Sequence, residues 1–255
     1  MYSELATDRT VFRISGRDRM EFLQGLVTND VARLSEGLVY AALLTPQGTY
    51  IADFFLVPSG DLVLLDVNAD IAPALAKRLM MYRLRADVQI EKTDIAVVRG
   101  IGEGPEGSFP DVRHPELGWR KYTDDPTGVS QSSSAIDWNA LRVAHCIPES
   151  GLELLPDETY ILETGFERLN GVDFRKGCYV GQEIVARMKH KTELRKGLTR
   201  VKVTGSAPIG TPILAGGKPA GTLFTQSGNR ALAHLRFDRA NGEMQAGEAE
   251  IRLDA

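Results

Sequence analysis

The ten residues FRKGCYVGQE, at positions 174–183, combine a cysteine, two glycines and several polar side chains. Glycine allows a positive φ and the close approach of a neighbouring group. Cys178 shortly precedes a run that predicts a helix, and Lys176 lies two residues before it. A helix N-terminus and a nearby cation both favour a thiolate. The pattern predicts a reactive thiol at Cys178, with an inert cysteine in a tight turn as the alternative.

Other kinds of catalytic or binding site fit the sequence less well. His190 lies twelve residues from Cys178, and no signature pairs the two as in a cysteine protease. The group His145, Cys146 and Cys178 lacks the spacing of metal ligands, so no metal site is expected. No glycine-rich dinucleotide motif follows a strand, and no P-loop is present.

The distribution of charge indicates an anionic ligand or partner. Residues 175–202 contain nine Lys or Arg against two acids, whereas the whole chain has a formal charge of −4. A basic strip on an acidic protein is typical of a surface that binds anions. The alternative is a solvated helix face that is basic by chance.

The overall composition is typical of a globular protein. The chain has 255 residues, of which 43% are hydrophobic and 25% charged. No apolar run is long enough to cross a bilayer, and the first residues lack a signal-peptide pattern. Two cysteines cannot form a disulfide framework, so we expect a reducing, cytoplasmic location without membrane contact.

The first hundred residues predict an α+β fold. A strand at TVFRISG leads into a helical pattern at 17–30, and three apolar runs follow between 40 and 67, separated by Pro- and Gly-containing turns. A second helical pattern covers 70–86 and a strand pair follows it. Helices packed on an antiparallel sheet form an α+β domain.

The rest of the chain predicts a mixed region and then a β-rich end. Residues 102–131 predict irregular connections with one short strand at GWRKYT. A helix is predicted at 133–148, with Ser134 as its cap and Pro148 at its end, and another at GQEIVARMKHK. From about residue 198, short strands alternate with Gly, Pro and Asn turns, which predicts a small β-barrel or sandwich after a boundary near 194.

The motif KGCYVGQE resembles the signature of the YgfZ/GcvT-like folate-binding family, which includes relatives of the glycine cleavage T-protein aminomethyltransferase and mitochondrial iron–sulfur assembly factors. Further similar blocks are FLQGLVTNDV, LLTPQGTYIADFFLV, YRLRADVQI, WNALRVAHCIP and ARMKHKTELRKGL. They occur in the family's order and span roughly residues 9–200. The octapeptide around Cys178 is the most specific of these matches.

The resemblance implies a T-protein-like arrangement of three domains around a central cavity. Two domains would be α+β and the third a small C-terminal β-barrel. The implied division is 1–45 plus 132–194 for a discontinuous folate-binding domain, 46–131 for a second α+β domain and 195–255 for the barrel.

The resemblance also implies a function and its residues. The protein would bind tetrahydrofolate, or another reduced folate, and assist iron–sulfur cluster assembly or repair, which indirectly supports tRNA modification. Its partners would be iron–sulfur enzymes or assembly proteins, and direct nucleic-acid binding is not expected. Cys178 would be the essential residue, completed by the rest of the motif: Lys176, Gly177, Tyr179, Gly181, Gln182 and Glu183.

For the folate we expect a cavity in which Trp138 stacks on the pterin. Asp53 or Asn29 would bind its polar edge, and Arg187 or Arg195 its carboxylate tail. The family's aminomethyltransferases carry an acidic pair where this chain has Ala52 and Asp53, and a second folate-contacting aromatic is replaced by Arg9.

Two other functions stay open. The remaining acid Asp53 leaves a folate-dependent one-carbon or aminomethyl transferase as an alternative. A nonenzymatic adaptor that docks a partner through the basic strip is the other.

Overall fold

The computed structural model describes residues 2–127, 129, 136–191 and 193–254. Its α-helices are α1 (Arg19–Gln24), α2 (Ala72–Arg83), α3 (Trp138–His145) and α4 (Gln182–Lys191). Short 3₁₀ helices cover Val31–Ser35, Pro115–Leu117 and Ile161–Thr164. In the described part of the chain, no helix combines the length and the apolar composition needed to cross a membrane.

The strands form three antiparallel sheets. They are β1 (Tyr2–Leu5), β2 (Arg9–Ser15), β3 (Val39–Leu44), β4 (Tyr50–Ser59), β5 (Leu62–Asn68), β6 (Gln89–Lys92), β7 (Ala96–Ile101), β8 (Phe109–Pro110), β9 (Trp119–Thr123), β10 (Lys196–Thr204), β11 (Pro212–Ala215), β12 (Lys218–Ser227), β13 (Arg230–Arg236), β14 (Met244–Ala246) and β15 (Ala249–Leu253). The first sheet has the order β3-β4-β5-β2-β6, the second β1-β7-β9-β8, and the remaining six strands close into a barrel.

The β3–β4 hairpin is the central layer of the fold, because both of its faces are buried. All six residues of β3 are buried, as its continuous apolar sequence VYAALL predicts. On one face, Phe54 and Leu56 pack in a core with residues of α1 and α2. On the other, Tyr40 and Phe55 pack against side chains from 147–185, including Phe166. The hairpin therefore lies between two apolar cores.

The barrel closes because β10 pairs with β13 on one side and with β15 on the other. Its tight turns use glycine at positive φ, for example Gly228 and Gly247, both at 59°. Small and branched side chains such as Ala231 and Ile251 fill the interior. This confirms the predicted β-rich C-terminal segment and settles it as a barrel.

Three local predictions differ from the structure. The helix expected over 17–30 is only six residues long, since Gly25 ends it and Val27 then forms an isolated bridge to Leu43. The strand β1 was not predicted. The expected cap Ser134 lies outside the described residues, and Asp137 caps α3 by accepting from the amide of Ala140.

The division into domains stays a prediction. Its boundary between 45 and 46 falls in the turn of the β3–β4 hairpin, whose strands belong to one sheet. Its boundary at 195 falls one residue before β10 begins.

Candidate functional site

The thiol of Cys178 is exposed on a loop just before α4. The helix begins at Gln182, so the prediction of a helix start within a few residues of Cys178 is confirmed. The following Tyr179 is buried, and its carbonyl accepts from the amide of Gln182. Cys178 is thus exposed, whereas the side chain of the next residue, Tyr179, packs in the core.

Lys176 holds this loop to the segment that follows α1. Its buried ammonium donates to the carbonyl oxygens of Gln24, Val27 and Asn29, at 2.8, 2.6 and 3.0 Å. Burial lowers the pKa of Lys176 to about 8, and the charges of Asp30 and Asp173 oppose that shift. At neutral pH the side chain is therefore mainly an ammonium with three N–H donors, one for each carbonyl.

Further hydrogen bonds of residues 171–176 hold the loop to the segment that follows α1. One carboxylate oxygen of Asp173 accepts from the amides of Arg175 and Lys176, at 2.7 and 3.2 Å. The Asp173 amide donates to the carbonyl of Thr28, and the Thr28 hydroxyl donates to the carbonyl of Gly171. Residues 171–176 are therefore hydrogen-bonded to residues 24–29 at several points.

Gly181 fixes the other end of the loop on the β3–β4 turn. Its φ is +84°, and a Cβ there would lie 2.6 Å from the carbonyl oxygen of Thr45. On the turn itself, a Cβ on Gly48 would lie 2.7 Å from Cβ of Ile184. By contrast, Gly177 has open space around its Cα. Of the two motif glycines, Gly181 is the one that the packing requires.

Cys178 lies in a shallow surface groove of about 480 Å³. The groove is lined by Pro46, Tyr82, Cys178, Tyr179, Val180, Gly181, Gln182 and Glu183. Most of the signature residues therefore contribute directly to one surface.

A separate cavity of about 540 Å³ lies between the first two sheets and α3. Its walls carry five arginines and five acids together with a few apolar side chains. The charged members are Arg9, Arg99, Arg113, Arg120, Arg142, Asp8, Asp53, Asp111, Asp137 and Glu149. No residue lines both this cavity and the groove at Cys178.

Asp53 is the centre of a buried hydrogen-bond cluster on the cavity wall. The hydroxyls of Tyr40 and Tyr50 donate to its two carboxylate oxygens at 2.9 and 2.7 Å, and the hydroxyl of Ser150 also donates. Burial, reinforced by the charge of Asp53, raises the pKa of both tyrosines well above the ordinary value. Both phenols therefore stay protonated and act as donors to Asp53.

A chain of alternating charges forms a second part of the wall. Arg9 and Arg120 both pair with Asp66, and Arg120 and Arg113 both pair with Asp111, at distances of 2.6–3.2 Å. Burial alone would raise the pKa of Asp111, but Arg113 and Arg120 lower it to about 2. At Asp66 burial also raises the pKa, but the charges of Arg9 and Arg120 outweigh it and the pKa is lowered. These carboxylates therefore stay ionised and hold the guanidinium groups in place.

Trp138 borders the cavity from the first turn of α3. Its indole N–H donates to Glu4 Oε1 at 2.6 Å. The same oxygen accepts from Arg99 Nε at 2.8 Å, and the Arg99 guanidinium lies 4.6 Å from the centre of the indole ring. The ring orientation is thus fixed, and the cation covers part of the indole surface.

The structure brings some predicted folate-binding residues together and separates others. Trp138 and Asp53 line the cavity, and so does Arg9. Asn29 does not, because its side-chain amide donates to the carbonyls of Tyr40 and Asn170. Arg187 and Arg195 are exposed and do not line this cavity.

Sequence reasoning missed the side chains that surround Asp53 and the cavity arginines. In the sequence, Tyr40 and Tyr50 fit positions in apolar strands and Ser150 fits a loop. Ser150 is also 97 residues from its hydrogen-bond partner, Asp53. Their only sequence signal was the position of Asp53 within an apolar strand, since a buried carboxylate needs donors. Among the described residues, no group of three or more His, Cys, Asp or Glu is arranged to hold a metal ion.

Comparison with known proteins supports the fold. Residues 195–255 match the family model for the CAF17 C-terminal β-barrel domain. The chain resembles the glycine cleavage system aminomethyltransferase T of Bartonella henselae, with a TM-score of 0.73 over 98% of this chain and 83% of that chain. At 14% identity this likeness shows the fold alone. The predicted T-protein-like α+β fold with a C-terminal barrel is confirmed.

Relatives of known role are found over most of the chain. The mitochondrial iron–sulfur cluster assembly factor IBA57 of Mus musculus is 30% identical, over 97% of this chain and 81% of its own length. The chain belongs to the IBA57 family. IBA57 of Homo sapiens is 28% identical over 95% of this chain and 79% of its own length. The IBA57 homologue of Mycosarcoma maydis is 30% identical over 74% of this chain and 54% of its own length.

The expected cytoplasmic location is wrong, because these IBA57 relatives are mitochondrial proteins. Two unpaired cysteines indicate a reducing environment, and that observation does not distinguish one reducing compartment from another.

The two motif glycines give a matched pair of substitutions. Gly181→Ala should lower the free energy of unfolding by about 1–3 kcal/mol, because it adds a methyl group at positive φ against the Thr45 carbonyl. Gly177→Ala should change it by less than about 0.5 kcal/mol, because nothing lies near its Cα. Denaturant unfolding measures both, and equal effects would contradict the packing role of Gly181.

The charge chain predicts a specific dependence of stability on pH. Because the folded-state pKa of Asp111 is lowered to about 2, its contribution is complete above the unfolded value of about 3.9 and is lost as pH falls toward 2. Asp111→Asn should therefore flatten the decrease in unfolding free energy over this range. Asp61→Asn, which removes an exposed acid, is the control and should keep the wild-type profile.

Proposed function

We propose that this IBA57-family chain assists the assembly or repair of iron–sulfur clusters and that Cys178 is its essential residue. The observation that carries the proposal is that Cys178 is exposed on a loop fixed at both ends, by Lys176 and by Gly181. A fixed, accessible thiol can bind a cargo held by a partner. Support for tRNA modification follows indirectly, where a client enzyme needs such a cluster.

The chemistry of the thiol determines what the chain would contribute. Iron–sulfur clusters are held by cysteine thiolates, commonly four. Cys146, the other cysteine, is half-buried and its Sγ lies 3.7 Å from the carbonyl oxygen of Leu198 at the barrel. The chain would therefore offer a cluster a single thiolate, and partner proteins would supply the other ligands.

The signature residues have two roles: some hold the Cys178 loop in position, and others form the surface of the groove. Lys176 and Gly181 position the loop, and the buried Tyr179 anchors it. Gln182 and Glu183 line the groove beside the sulfur. Gly177 leaves the space next to Cys178 open.

For the cavity we propose a reduced folate, as in the YgfZ/GcvT-like folate-binding proteins that the sequence resembles. A volume of about 540 Å³ lies within the usual range for small-molecule sites. Trp138 offers an aromatic surface, and Asp53 offers a carboxylate to the donor edge of a pterin. A reduced folate bound there would serve as the carrier of a one-carbon unit.

The tail of the folate would need a cation at the cavity. Arg99 and Arg113 line it and keep 21% and 13% of their side-chain surface exposed, although both are paired with acids. They replace Arg187 and Arg195 in this role. Because the lining arginines and acids are equal in number, we expect only a weak attraction for the tail carboxylates.

One observation favours a second function, a folate-dependent one-carbon transferase. Asp53 faces the cavity as an acceptor supported by Tyr40, Tyr50 and Ser150. Steady turnover of methylene-tetrahydrofolate with an amine acceptor, lost in Asp53→Asn, would favour the transferase. Binding without turnover would favour the assembly factor.

Replacing Trp138 tests the ligand. Trp138→Ala should weaken binding of tetrahydrofolate by about 1–3 kcal/mol, or about 5- to 150-fold in Kd, because it removes a large apolar contact. Trp138→Phe, which keeps an aromatic ring, should retain most of the affinity. Isothermal titration measures both. A folded wild-type protein that binds no tetrahydrofolate at millimolar concentration would contradict the folate proposal.

Replacing Cys178 tests the role in cluster assembly. In cells without their own copy, Cys178→Ser should fail to restore the activity of iron–sulfur enzymes, because serine cannot provide a thiolate. The variant should still bind tetrahydrofolate like the wild type, since Cys178 does not line the cavity. Cys146→Ser is the control and should restore activity. Full activity with Cys178→Ser would refute the essential role and leave the adaptor alternative.

A further inference from the structure

The end of α2 exposes large apolar side chains. Met80, Met81 and Leu84 are 45%, 61% and 87% exposed. We call these three residues the α2 apolar cluster. Scattered apolar residues are common on protein surfaces, but three within five positions form a local patch that neighbouring elements leave uncovered.

The end of α2 reaches the groove that contains Cys178. Tyr82, within the same stretch of chain, lines that groove together with Pro46, Tyr179 and Val180. The stretch of chain that carries the α2 apolar cluster therefore also forms part of the wall of the groove at Cys178. A partner that enters the groove would lie close to the end of α2.

Basic residues are concentrated on the two segments that border the groove. Residues 71–86 contain four basic side chains and no acid, and residues 175–191, which run through α4, contain five basic side chains and one acid. Together these two segments carry a formal charge of +8, although the whole chain has −4. Such segregation favours a ligand or partner of negative charge.

The backbone at Leu84 gives a further reason to assign a role to its side chain. Leu84 follows the last residue of α2 with φ 43° and ψ −104°, in a region that residues with a Cβ rarely adopt. Glycine is usual at such helix ends. An exposed leucine at this position is unfavourable for the isolated chain, and burial against a partner would offset that cost.

We propose that the α2 apolar cluster and the groove at Cys178 form one docking surface for an acidic protein. The proposal rests on the proposed function, in which a partner must reach Cys178. An acidic protein with apolar side chains at its contact surface matches both the charge and the exposed Met and Leu residues. A second copy of this chain would bring two strongly basic faces together, and a nucleic acid would leave the apolar side chains without matching contacts.

The test uses the full-length chain with Cys146→Ser, so that Cys178 is the one remaining thiol. The rate of alkylation of Cys178 by a bulky maleimide is measured with three probes: a glutamate–tyrosine copolymer, polyglutamate and bulk transfer RNA. The copolymer should protect the thiol at a concentration about tenfold or more below that of polyglutamate, because it adds apolar contacts to the charge. Added salt should weaken protection by both polymers.

Substitutions then locate the apolar contact. Met81→Ser combined with Leu84→Gly should remove the advantage of the copolymer over polyglutamate. Glycine at position 84 relieves the positive φ, so loss of the advantage would not reflect unfolding. Ile209→Ser, which alters an exposed apolar residue of the barrel, is the control and should keep the advantage.

The remaining outcomes each decide against the proposal. Equal protection by transfer RNA and the copolymer would assign the surface to nucleic acid, and a dimer in light scattering that masks Cys178 would assign it to a second copy. Absence of protection, or an advantage that survives the double substitution, would overturn it. If the double variant restores iron–sulfur enzyme activity in cells and Cys178→Ser does not, the docking surface fails while the proposed function stands. If both restore activity, the proposed function itself fails.

Discussion

The ammonium group of Lys176 and the three backbone carbonyls around it hold the candidate site together. The three carbonyls belong to residues 24–29, at the end of α1 and just after it, where their oxygens accept no hydrogen bond within a helix. Only a group with three donors can satisfy all three oxygens, which lysine can do and an apolar side chain cannot. The bond joins two segments about 150 residues apart in sequence and thereby sets where the chain turns into the Cys178 loop.

The β3–β4 hairpin relates this loop to the cavity. Its turn packs against Gly181 beside the thiol, and its strand β4 carries Asp53 on the cavity wall. The two sites share a rigid support, buried on both faces, but no lining residue. A ligand in the cavity can therefore stabilise the support of the thiol without contacting it. This separation suits an assembly factor better than an enzyme in which the thiol attacks the folate.

The parts of the structure that sequence predicted were those with local causes. The helix α4 and the barrel strands follow from periodicity and Gly turns within a few residues. The charge chain from Arg9 through Asp66 and Arg120 could not be predicted, because its members lie up to 57 residues apart and pair only after the sheets form. Arg187 was assigned to a ligand from its charge and its capacity for bidentate hydrogen bonds, but it lies exposed on α4 and does not line the cavity. The exposure of the apolar residues at the end of α2 could not be predicted, because the same helical pattern would be expected if these residues were buried.

Amide hydrogen exchange of Lys176→Met, compared with the wild type, tests the central claim most directly. If the ammonium fixes the Cys178 loop, the amides of Asp173, Arg175 and residue 176 should exchange faster in the variant. The barrel at 195–255 should keep its protection, and Lys189→Met, which removes an exposed lysine of α4, should exchange like the wild type. Wild-type protection of the loop in Lys176→Met would show that other contacts hold it and would contradict this account.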